Sequence, residues 1–361
     1  MQSFIILTIN PGSTSTKIGL FEDKKLIFSK NLKHSVEDLE KYDSIISQYQ
    51  FRKNLILKVL KDENVELKNI SAVVARGGLL KPIQSGVYEV NSKMIEDLRS
   101  CKYGEHASNL GGIIAKEVAD DIKEIKAYIA DPVVVDEMEP IAKLSGHPEF
   151  QRTSIFHALN QKATAKKHAE KFSKKYSELN LIVAHLGGGI SVGAHKKGRV
   201  IDVNQALNGD GPYSPERSGT LPVFDLVKMC FSGKYTIEQV KQLIVGKGGF
   251  AAYLGTNDAS EVERLALEGN KEADLYHSGM AYQVAKEIGA MGAVLDGEVD
   301  FILLTGGIAY NQYFVEKVEK KVKYLAPVYV YPGEDELLAL AENGLRVLRD
   351  EEKVKIYAFN I

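Results

Sequence analysis

Residues 9–19 read INPGSTSTKIG, and residues 184–193 repeat the same pattern as AHLGGGISVG. Each stretch joins two apolar runs through a polar turn that contains glycine, which predicts a β-hairpin. A third apolar run follows a basic turn in both places, at residues 26–28 and 200–203. The same three-stranded unit is therefore predicted twice, and a tandem duplication explains this most simply.

The remainder of the chain alternates between strand and helix patterns. Short β-branched runs that predict buried strands lie at residues 4–9, 71–75, 126–130, 181–184, 301–305 and 328–331. Stretches of helical period lie at residues 107–121, 158–176, 278–295 and 335–349. This alternation indicates the α/β class, with two units of sheet and helices whose glycine-rich hairpins face each other across a cleft.

The composition is that of an ordinary globular protein of 361 residues, 44% of them hydrophobic and 26% charged. The 46 basic and 48 acidic side chains nearly cancel, so no overall charge would attract nucleic acid or a membrane surface. Cys101 and Cys230 form no CxxC pair, and no basic and apolar leader or 18-residue apolar run is present. These features predict a cytoplasmic protein.

The glycine-rich turns are candidate phosphate sites. The first offers backbone N–H groups, hydroxyls and a lysine, from Gly12, Ser13, Thr14, Ser15 and Lys17. The second would let a ligand approach its backbone closely, at Gly187, Gly188 and Gly189. A third turn follows a strand and opens a helix, where a nucleotide could bind, at Gly306, Gly307 and Ile308. A polar hairpin or a simple helix start is the alternative.

Two arginines are candidate ligands for an anion. Arg76 follows an apolar strand and precedes two glycines, at a position where strand ends line clefts. Arg217 lies in the polar segment YSPERSG, residues 213–219. A guanidinium can bind a carboxylate or phosphate through two hydrogen bonds, so both arginines suit an anionic substrate. A surface salt bridge is the alternative for each.

Acidic side chains at the ends of elements are candidate metal ligands. Asp131 ends an apolar strand, where it could hold Mg²⁺ or its waters, or simply form a turn before Pro132. Glu334 and Glu336 lie at the start of a predicted helix. Because the helix dipole favours acids there without any function, either role is plausible for them.

The histidines differ in their surroundings. His185 lies two residues before the first of the three glycines and is a candidate for the site. His168 lies among charged residues and is expected on a solvated helix face, whereas His147 and His157 could line a pocket or pack. The chain lacks HExxH, GxSxG and a GxGxxG after a strand, which gives little support to zinc protease, α/β-hydrolase or dinucleotide-binding functions.

Taken together, these segments resemble the acetate and butyrate kinase family of the sugar kinase, chaperone and actin superfamily, over nearly the whole chain. Residues 10–17 and 184–189 resemble the family's two phosphate segments, and residues 216–219 its substrate motif. The resemblance implies two duplicated actin-like (RNase H-like) βββαβαβα lobes that flank a nucleotide cleft. One domain would comprise residues 1–150 plus 340–361, and the other residues 151–339.

Within that family the chain is most similar to the butyrate-phosphorylating branch, through RGGLLKP (76–82), DPVVVD (131–136), SIFHALNQ (154–161) and GPYSPERSG (211–219). The acetate branch has an asparagine where this chain has Gly188, and an arginine where it has Ser260. The resemblance implies reversible phosphorylation of butyrate or a branched analogue by ATP, through direct in-line transfer, to give an acyl phosphate.

The resemblance also implies roles for the charged candidates. Arg76 and Arg217 would orient the carboxylate and stabilise the phosphoryl oxygens, to which His185 would donate a hydrogen bond. Gly306, Gly307 and Ile308 would lie along the adenosine of ATP or ADP.

The metal would be Mg²⁺, positioned by Asp131 and Glu336, with Glu334 as the alternative to Glu336. Asn10 would be a partner of the metal or of a phosphate. The family also implies a homo-oligomer, a dimer or larger, that acts on a small molecule and has no nucleic-acid or membrane partner.

Two rival functions belong to the same superfamily. An ATPase of the chaperone kind would need no arginine that binds a carboxylate. A sugar kinase would need an aspartate as base for a neutral hydroxyl, a role that Asp131 could fill.

Overall fold

The computed structural model describes residues 2–122 and 125–358. Its strands are β1 Ile5–Pro11, β2 Ser15–Glu22, β3 Lys25–Lys33, β4 Ile70–Arg76, β5 Val87–Glu89, β6 Lys126–Ala130, β7 Asn180–Leu186, β8 Ile190–Lys196, β9 Arg199–Val203, β10 Phe301–Gly306, β11 Val328–Pro332 and β12 Lys355–Ile356. Its helices are α1 Val36–Leu39, α2 Tyr49–Asp62, α3 Ser92–Arg99, α4 Asn109–Ile122, α5 Ala158–Lys171, α6 Val223–Cys230, α7 Ile237–Ile244, α8 Gly249–Leu254, α9 Ala259–Leu267, α10 Lys271–Val294, α11 Gln312–Val322 and α12 Glu336–Leu348. Within these ranges, no helix has the length and apolarity that crossing a membrane requires.

The chain divides into two compact units. Unit 1 comprises Met1–Val135 and Asp335–Ile361, and unit 2 comprises Asp136–Glu334. The sequence predicts one domain of residues 1–150 plus 340–361 and a second of residues 151–339. These two domain boundaries stay a prediction.

Unit 1 is built on a sheet with the strand order β12-β5-β6-β4-β1-β2-β3. Strands β1, β2 and β3 form an antiparallel meander, while β4 runs parallel to β1 and β6 parallel to β4. Helices α4 and α12 pack on β1 and β4, which buries Leu7, Ile9 and Val73 completely. Because β1, β4 and β6 are parallel, their carboxyl ends lie at one edge of the sheet, where ligand sites of α/β folds form.

Unit 2 is built on a sheet with the strand order β11-β10-β7-β8-β9. Strands β7, β8 and β9 are antiparallel, and β10 and β11 run parallel to β7. All seven residues of β7 are buried, because α5 and α10 both pack on this strand. The order β9-β8-β7-β10-β11 repeats β3-β2-β1-β4-β6 of unit 1, which confirms the predicted duplication.

The fold class and the long elements agree with the sequence-based predictions. Each predicted strand and long helix is present, with ends that differ by a few residues. Helix α10 begins earlier than the apolar period indicated, at Lys271, because the side chain of Asn270 caps it by accepting from the backbone N–H groups of Glu272 and Ala273.

His168 does not lie on a solvated helix face, as the charged residues around it in the sequence had led us to expect. It is fully buried against Phe172, Phe301 and Tyr329, and its Nδ1 lies 2.8 Å from the hydroxyl of Tyr331. The expectation was wrong because the aromatic side chains of β10 and β11 cover this face of α5. Burial lowers the pKa of His168 to about 4, which keeps the ring neutral.

Candidate active site

The first predicted phosphate turn joins β1 to β2. The backbone N–H of Gly12 donates to the carbonyl of Ser15 at 2.8 Å, which closes the turn. Ser13, Thr14 and Lys17 are exposed. The turn therefore exposes two hydroxyl groups and an ammonium group, and its role as a phosphate site stays a prediction.

Three predicted site residues of unit 1 come together beside this turn. The side-chain amide of Asn10, at the end of β1, donates to the carboxylate of Glu336. Nη1 of Arg76, the last residue of β4, lies 3.2 Å from the same carboxylate. The parallel strands β1 and β4 end at one edge of the sheet, and α12, which packs on both, begins there with Glu336. We call this group the Asn10–Arg76–Glu336 cluster.

The two glycines after Arg76 allow the chain to pass close to its neighbours. A Cβ at Gly78 would lie 2.5 Å from the Cα of Asn109, and one at Gly77 would lie 2.5 Å from the Cβ of Pro132. The side chain of Arg76 keeps 24% of its surface exposed. Arg76 is thus an ion-paired residue that still has donors available for an anion.

Asp131 follows β6 in a left-handed conformation, with φ of 37°. Its Oδ1 accepts from the hydroxyl of Ser85 at 2.6 Å and from the backbone N–H of Gly86 at 2.9 Å. Its Oδ2 is buried and has no hydrogen-bond partner in residues 2–122 and 125–358. A buried carboxylate oxygen without a donor fits a role toward a cation or a metal-bound water.

The metal-ligand expectation can be compared with the whole described chain. No group of three or more histidine, cysteine, aspartate or glutamate side chains in it is arranged to hold a metal ion. Mg²⁺ commonly takes one or two protein carboxylates and completes its shell with substrate phosphates and waters. Asp131 and Glu336 fit that pattern, and of the two glutamates considered, Glu336 is the one that contacts Asn10 and Arg76.

In unit 2, His185 occupies the end of β7 and is nearly completely buried. Its ring stacks on His157, with the ring centroids 3.8 Å apart. Its Nδ1 lies 2.8 Å from Oδ1 of Asn160, and its Nε2 lies 3.6 Å from a carboxylate oxygen of Glu334. Because an amide oxygen only accepts, Nδ1 carries a proton in this arrangement.

A chain of polar contacts continues behind these two histidines. Nδ1 of His157 lies 2.8 Å from the hydroxyl of Ser191, to which the amide nitrogen of Gln161 also donates at 2.8 Å. Oε1 of Gln161 lies 2.9 Å from Nε2 of His195, whose pKa burial lowers well below its usual value. His195 is therefore neutral, and the network fixes the orientation of the stacked rings from behind.

The triple glycine makes room for a side chain of the protein itself. A Cβ at Gly189 would lie 1.9 Å from Nη1 of Arg217, whereas one at Gly188 would meet nothing closer than 3.6 Å. At Gly189 the guanidinium of Arg217 occupies the space that a Cβ would take, so a glycine is required there by a side chain of the protein itself. Gly187 lies beside His185, whose Nε2 would be 3.1 Å from an added Cβ.

Arg217 is held in a rigid loop. Its Nη1 donates to the carbonyl of Ala206 at 2.5 Å, and its own carbonyl accepts from the N–H of Ser214 at 3.0 Å. Its Nε is buried with no hydrogen-bond partner among the residues that the structure describes. The pKa of Arg217 is lowered by burial. Over the same residues it forms no salt bridge, so the surface-pair alternative does not apply.

The third glycine-rich turn follows β10. Gly306 has a φ of 90° and exchanges two backbone hydrogen bonds with Gly333, and a Cβ on it would lie 2.3 Å from the carbonyl oxygen of Leu186. Gly307 is exposed. The side chain of Ile308 packs in the core of unit 2, so only its backbone is available to a nucleoside.

Two residues of the site escaped sequence analysis. Asn160, which holds His185, lies within the segment 154–161 that carried part of the family resemblance, so that segment was the available signal. Arg52, which contacts the first phosphate turn from behind, carried no signal, because it lies 40 residues from Gly12 inside an ordinary helical pattern.

The repeated sheet order and the glycine-rich turns define an α/β protein built from two copies of an actin-like sheet unit. The fold matches the crystal structure of Porphyromonas gingivalis acetate kinase, with a TM-score of 0.78 and 22% identity over 96% of this chain and 100% of that one. It also matches a propionate kinase from Francisella tularensis, with a TM-score of 0.74 and 18% identity over 94% and 98%.

The chain belongs to the acetokinase family, which residues 150–359 match. It is 60% identical to butyrate kinase 2 of Clostridium acetobutylicum over 99% of this chain and all of that protein. It is 59% identical to butyrate kinase 1 of the same organism, over 98% of this chain and 99% of that protein.

Proposed function

We propose that this protein phosphorylates a short-chain carboxylate, butyrate or a branched analogue, with ATP, and that it also runs the reverse reaction to make ATP from the acyl phosphate and ADP. The observation that carries the proposal is the 60% identity to a butyrate kinase along the full length of both chains. The cationic side chains at the strand ends, together with the phosphate turns, supply the chemistry that this reaction needs.

The reaction needs positive charge more than it needs a base. A carboxylic acid has a pKa of about 4 to 5 in water, so the acceptor is already an anion at neutral pH. The obstacle is the repulsion between this anion and the phosphates of ATP. Catalysis of a direct in-line transfer therefore rests on positioning and on charge neutralisation.

Arg76 and Arg217 are proposed to orient the carboxylate and to stabilise the transferred phosphoryl group. Arg76 holds Glu336 yet keeps part of its guanidinium exposed. Arg217 keeps a buried Nε that no described residue accepts from, which is a donor prepared for an anion. Each guanidinium can donate two parallel hydrogen bonds to a carboxylate or phosphate.

His185 is proposed to donate from Nε2 to the phosphoryl oxygens in flight. With its Nδ1 proton directed at Asn160, Nε2 carries a proton only when the ring is an imidazolium. The carboxylate of Glu334 lies 3.6 Å from Nε2.

The three glycine-rich turns are proposed to bind ATP or ADP. The donors of the first turn and the backbone of the second would hold phosphate oxygens, through Gly12, Ser13, Thr14, Ser15, Lys17, Gly187, Gly188 and Gly189. The third would lie along the adenosine, through Gly306, Gly307 and the backbone of Ile308.

Mg²⁺ is proposed as the metal, held by Asp131 and Glu336 with Asn10 as a further ligand or phosphate partner. The support is the buried Oδ2 of Asp131, which lacks a donor within the described ranges. When bound, Mg²⁺ supplies positive charge to the phosphate oxygens of the nucleotide.

We also propose that the enzyme is a cytoplasmic homo-oligomer with no nucleic-acid or membrane partner. Helix α6 has no buried residue. Val223 and Phe224 in it, and Phe231 directly after it, are largely exposed, which is typical of a surface that a second copy covers. Light scattering coupled to size exclusion tests this, and a monomer at micromolar concentration would contradict it.

Trapping of acyl phosphate by hydroxylamine tests the proposed function. ATP, Mg²⁺ and one acid at a time are supplied: acetate, propionate, butyrate, isobutyrate and valerate. We expect hydroxamate to peak at four carbons. A peak at acetate would contradict butyrate as the proposed substrate. The absence of hydroxamate with every acid, despite ATP binding, would contradict the proposed reaction and favour an ATPase or a sugar kinase.

A further inference from the structure

Arg52 is the largest completely buried side chain of the described residues, with no exposed surface. It lies on α2, in the first turn of the helix, and takes no part in the chemistry proposed above. A buried guanidinium is costly unless all its donors find acceptors. Its partners therefore indicate why it is there.

Most of those partners belong to the first phosphate turn. Nη1 of Arg52 donates to the carbonyl of Gly12 at 2.7 Å, to that of Ser15 at 3.2 Å and to Oγ1 of Thr16 at 3.2 Å. Nη2 donates to the carbonyl of Ser13 at 3.0 Å. One side chain thus holds three carbonyls of the turn from its interior side.

The fourth carbonyl of the turn, that of Thr14, accepts from the backbone N–H of His34 at 2.9 Å. All four carbonyl oxygens between Gly12 and Ser15 are therefore engaged by donors of the protein. Carbonyl oxygens repel a phosphate, whereas backbone N–H groups attract it. In the described part of the chain, the N–H groups of Ser13 and Thr14 have no acceptor, which leaves them for a ligand.

The positive charge of Arg52 also favours an anion at this turn. Gln48 completes the contacts of Arg52 by accepting from Nε at 3.2 Å and from Nη2 at 2.7 Å. None of the acceptors of Arg52 is a carboxylate, so its positive charge is not cancelled by the groups that hold it. An anion bound on the outer side of the turn would compensate that charge across one layer of backbone.

We propose that Arg52 is a positioning residue for the phosphate turn: it turns the carbonyls of Gly12, Ser13 and Ser15 inward, so that the donors of the turn face a phosphate of ATP. This inference rests on the proposed function, since it assigns a role at the nucleotide part of that site. Arg52 itself does not contact the substrate.

The test compares Arg52→Met with Lys53→Met. Lys53 is the next residue of α2, is also buried, and pairs with Asp121 at 2.8 Å rather than with the turn. We expect Arg52→Met to raise the Kd of ATP, measured by calorimetry without acid, and the KM of ATP by about 10- to 100-fold. The KM of butyrate should stay within about twofold of the wild-type value.

Two further variants separate charge from geometry. Arg52→Lys keeps the charge but loses the planar fork, so it should recover only part of the ATP affinity. Millimolar guanidinium should restore ATP binding to Arg52→Ala but not change it in Lys53→Ala. If the Arg52 variants fail to fold, Gln48→Met, which removes the acceptor that orients the guanidinium, should raise the Kd of ATP by about 3- to 10-fold.

Lys53→Met should lower the Tm without changing either KM. A folded Arg52→Met protein whose Kd for ATP equals that of the wild type would overturn the proposal, as would equal losses of ATP affinity in Arg52→Met and Lys53→Met. Failure of the proposed function is distinguishable, because it would show as absence of acyl phosphate from the wild type, while the binding comparison would still decide the role of Arg52.

Discussion

An alanine at position 189 would place its Cβ 1.9 Å from Nη1 of Arg217, too close for the guanidinium to stay where it is. We therefore expect Gly189→Ala to lower kcat/KM for the carboxylate by about 100-fold, the cost of removing one donor at a transition state. Gly146→Ala is the control, because an added Cβ there would meet nothing within 4 Å and the position lies outside the proposed site. Comparison of the initial rates of Gly189→Ala and the control variant tests this prediction. Equal rates would show that the position of Arg217 is unimportant for the reaction.

The contact between Asn160 and His185 gives a second prediction about a single residue. Asn160→Leu removes the acceptor 2.8 Å from Nδ1 of His185, so the ring can rotate or change tautomer. We expect kcat to fall about 10- to 100-fold with little change in the KM of ATP. Asn160→Asp keeps an acceptor and should retain most of the rate. Loss of activity in both variants to the same extent would contradict a role in orienting the ring.

At the scale of elements, two carboxylates near the start of α12 have different partners. Glu336 joins Asn10 and Arg76, while Glu334, two residues earlier, faces His185. We expect Glu336→Gln to raise the Mg²⁺ concentration at half-maximal rate by about tenfold, because Mg²⁺ prefers charged oxygen ligands.

Glu334→Gln should leave the Mg²⁺ requirement unchanged and lower kcat through His185. Titration of the rate with Mg²⁺ at saturating ATP distinguishes the two variants. If Glu334→Gln alone changed the Mg²⁺ requirement, the metal assignment would move to Glu334.

The elements that could be predicted from sequence are those whose signal is local. The hairpin at residues 9–19 repeats in pattern at 184–193, and the buried strands are continuous apolar runs, so pattern alone located the meanders and the duplication. The short strands β5 and β12, of three and two residues, are too brief to show a period. They form because the edge strand β6 is available to pair with β5, and β5 in turn with β12.

Some residues of the candidate site also have a local sequence signal, and others do not. Arg76 could be proposed because it ends an apolar strand, and His185 because it lies just before the triple glycine. The role of Gly189 and the burial of His168 could not be predicted, because both depend on side chains distant in the sequence, those of Arg217 and of the β10 and β11 aromatics. Contacts of this kind arise only when the chain is folded.

At the scale of the whole molecule, buried histidines make stability depend on pH. Burial lowers the pKa of His34, His168 and His277 to about 4. The unfolded chain binds protons near pH 6.5 and the folded chain does not, so stability is complete above that pH and is lost as the pH falls toward 4. Each of these histidines should cost about 1.4 kcal/mol of unfolding free energy per pH unit in this window.

Denaturant unfolding between pH 7.5 and 4.5 measures how steeply the free energy of unfolding changes with pH. His168→Phe should make the slope of unfolding free energy against pH shallower by about one proton. A slope in His168→Phe equal to that of the wild type would contradict the neutral state of this buried ring.

The central claim for the molecule is that a carboxylate, and not a hydroxyl or water, receives the phosphoryl group of ATP. Phosphorus NMR of a reaction with ATP, Mg²⁺ and butyrate labelled with ¹⁸O in both carboxyl oxygens tests this most directly. We predict an acyl phosphate signal with the isotope shift of one ¹⁸O bonded to phosphorus, since the bridging oxygen comes from the acid. Inorganic phosphate alone, or an acyl phosphate without that shift, would contradict the account.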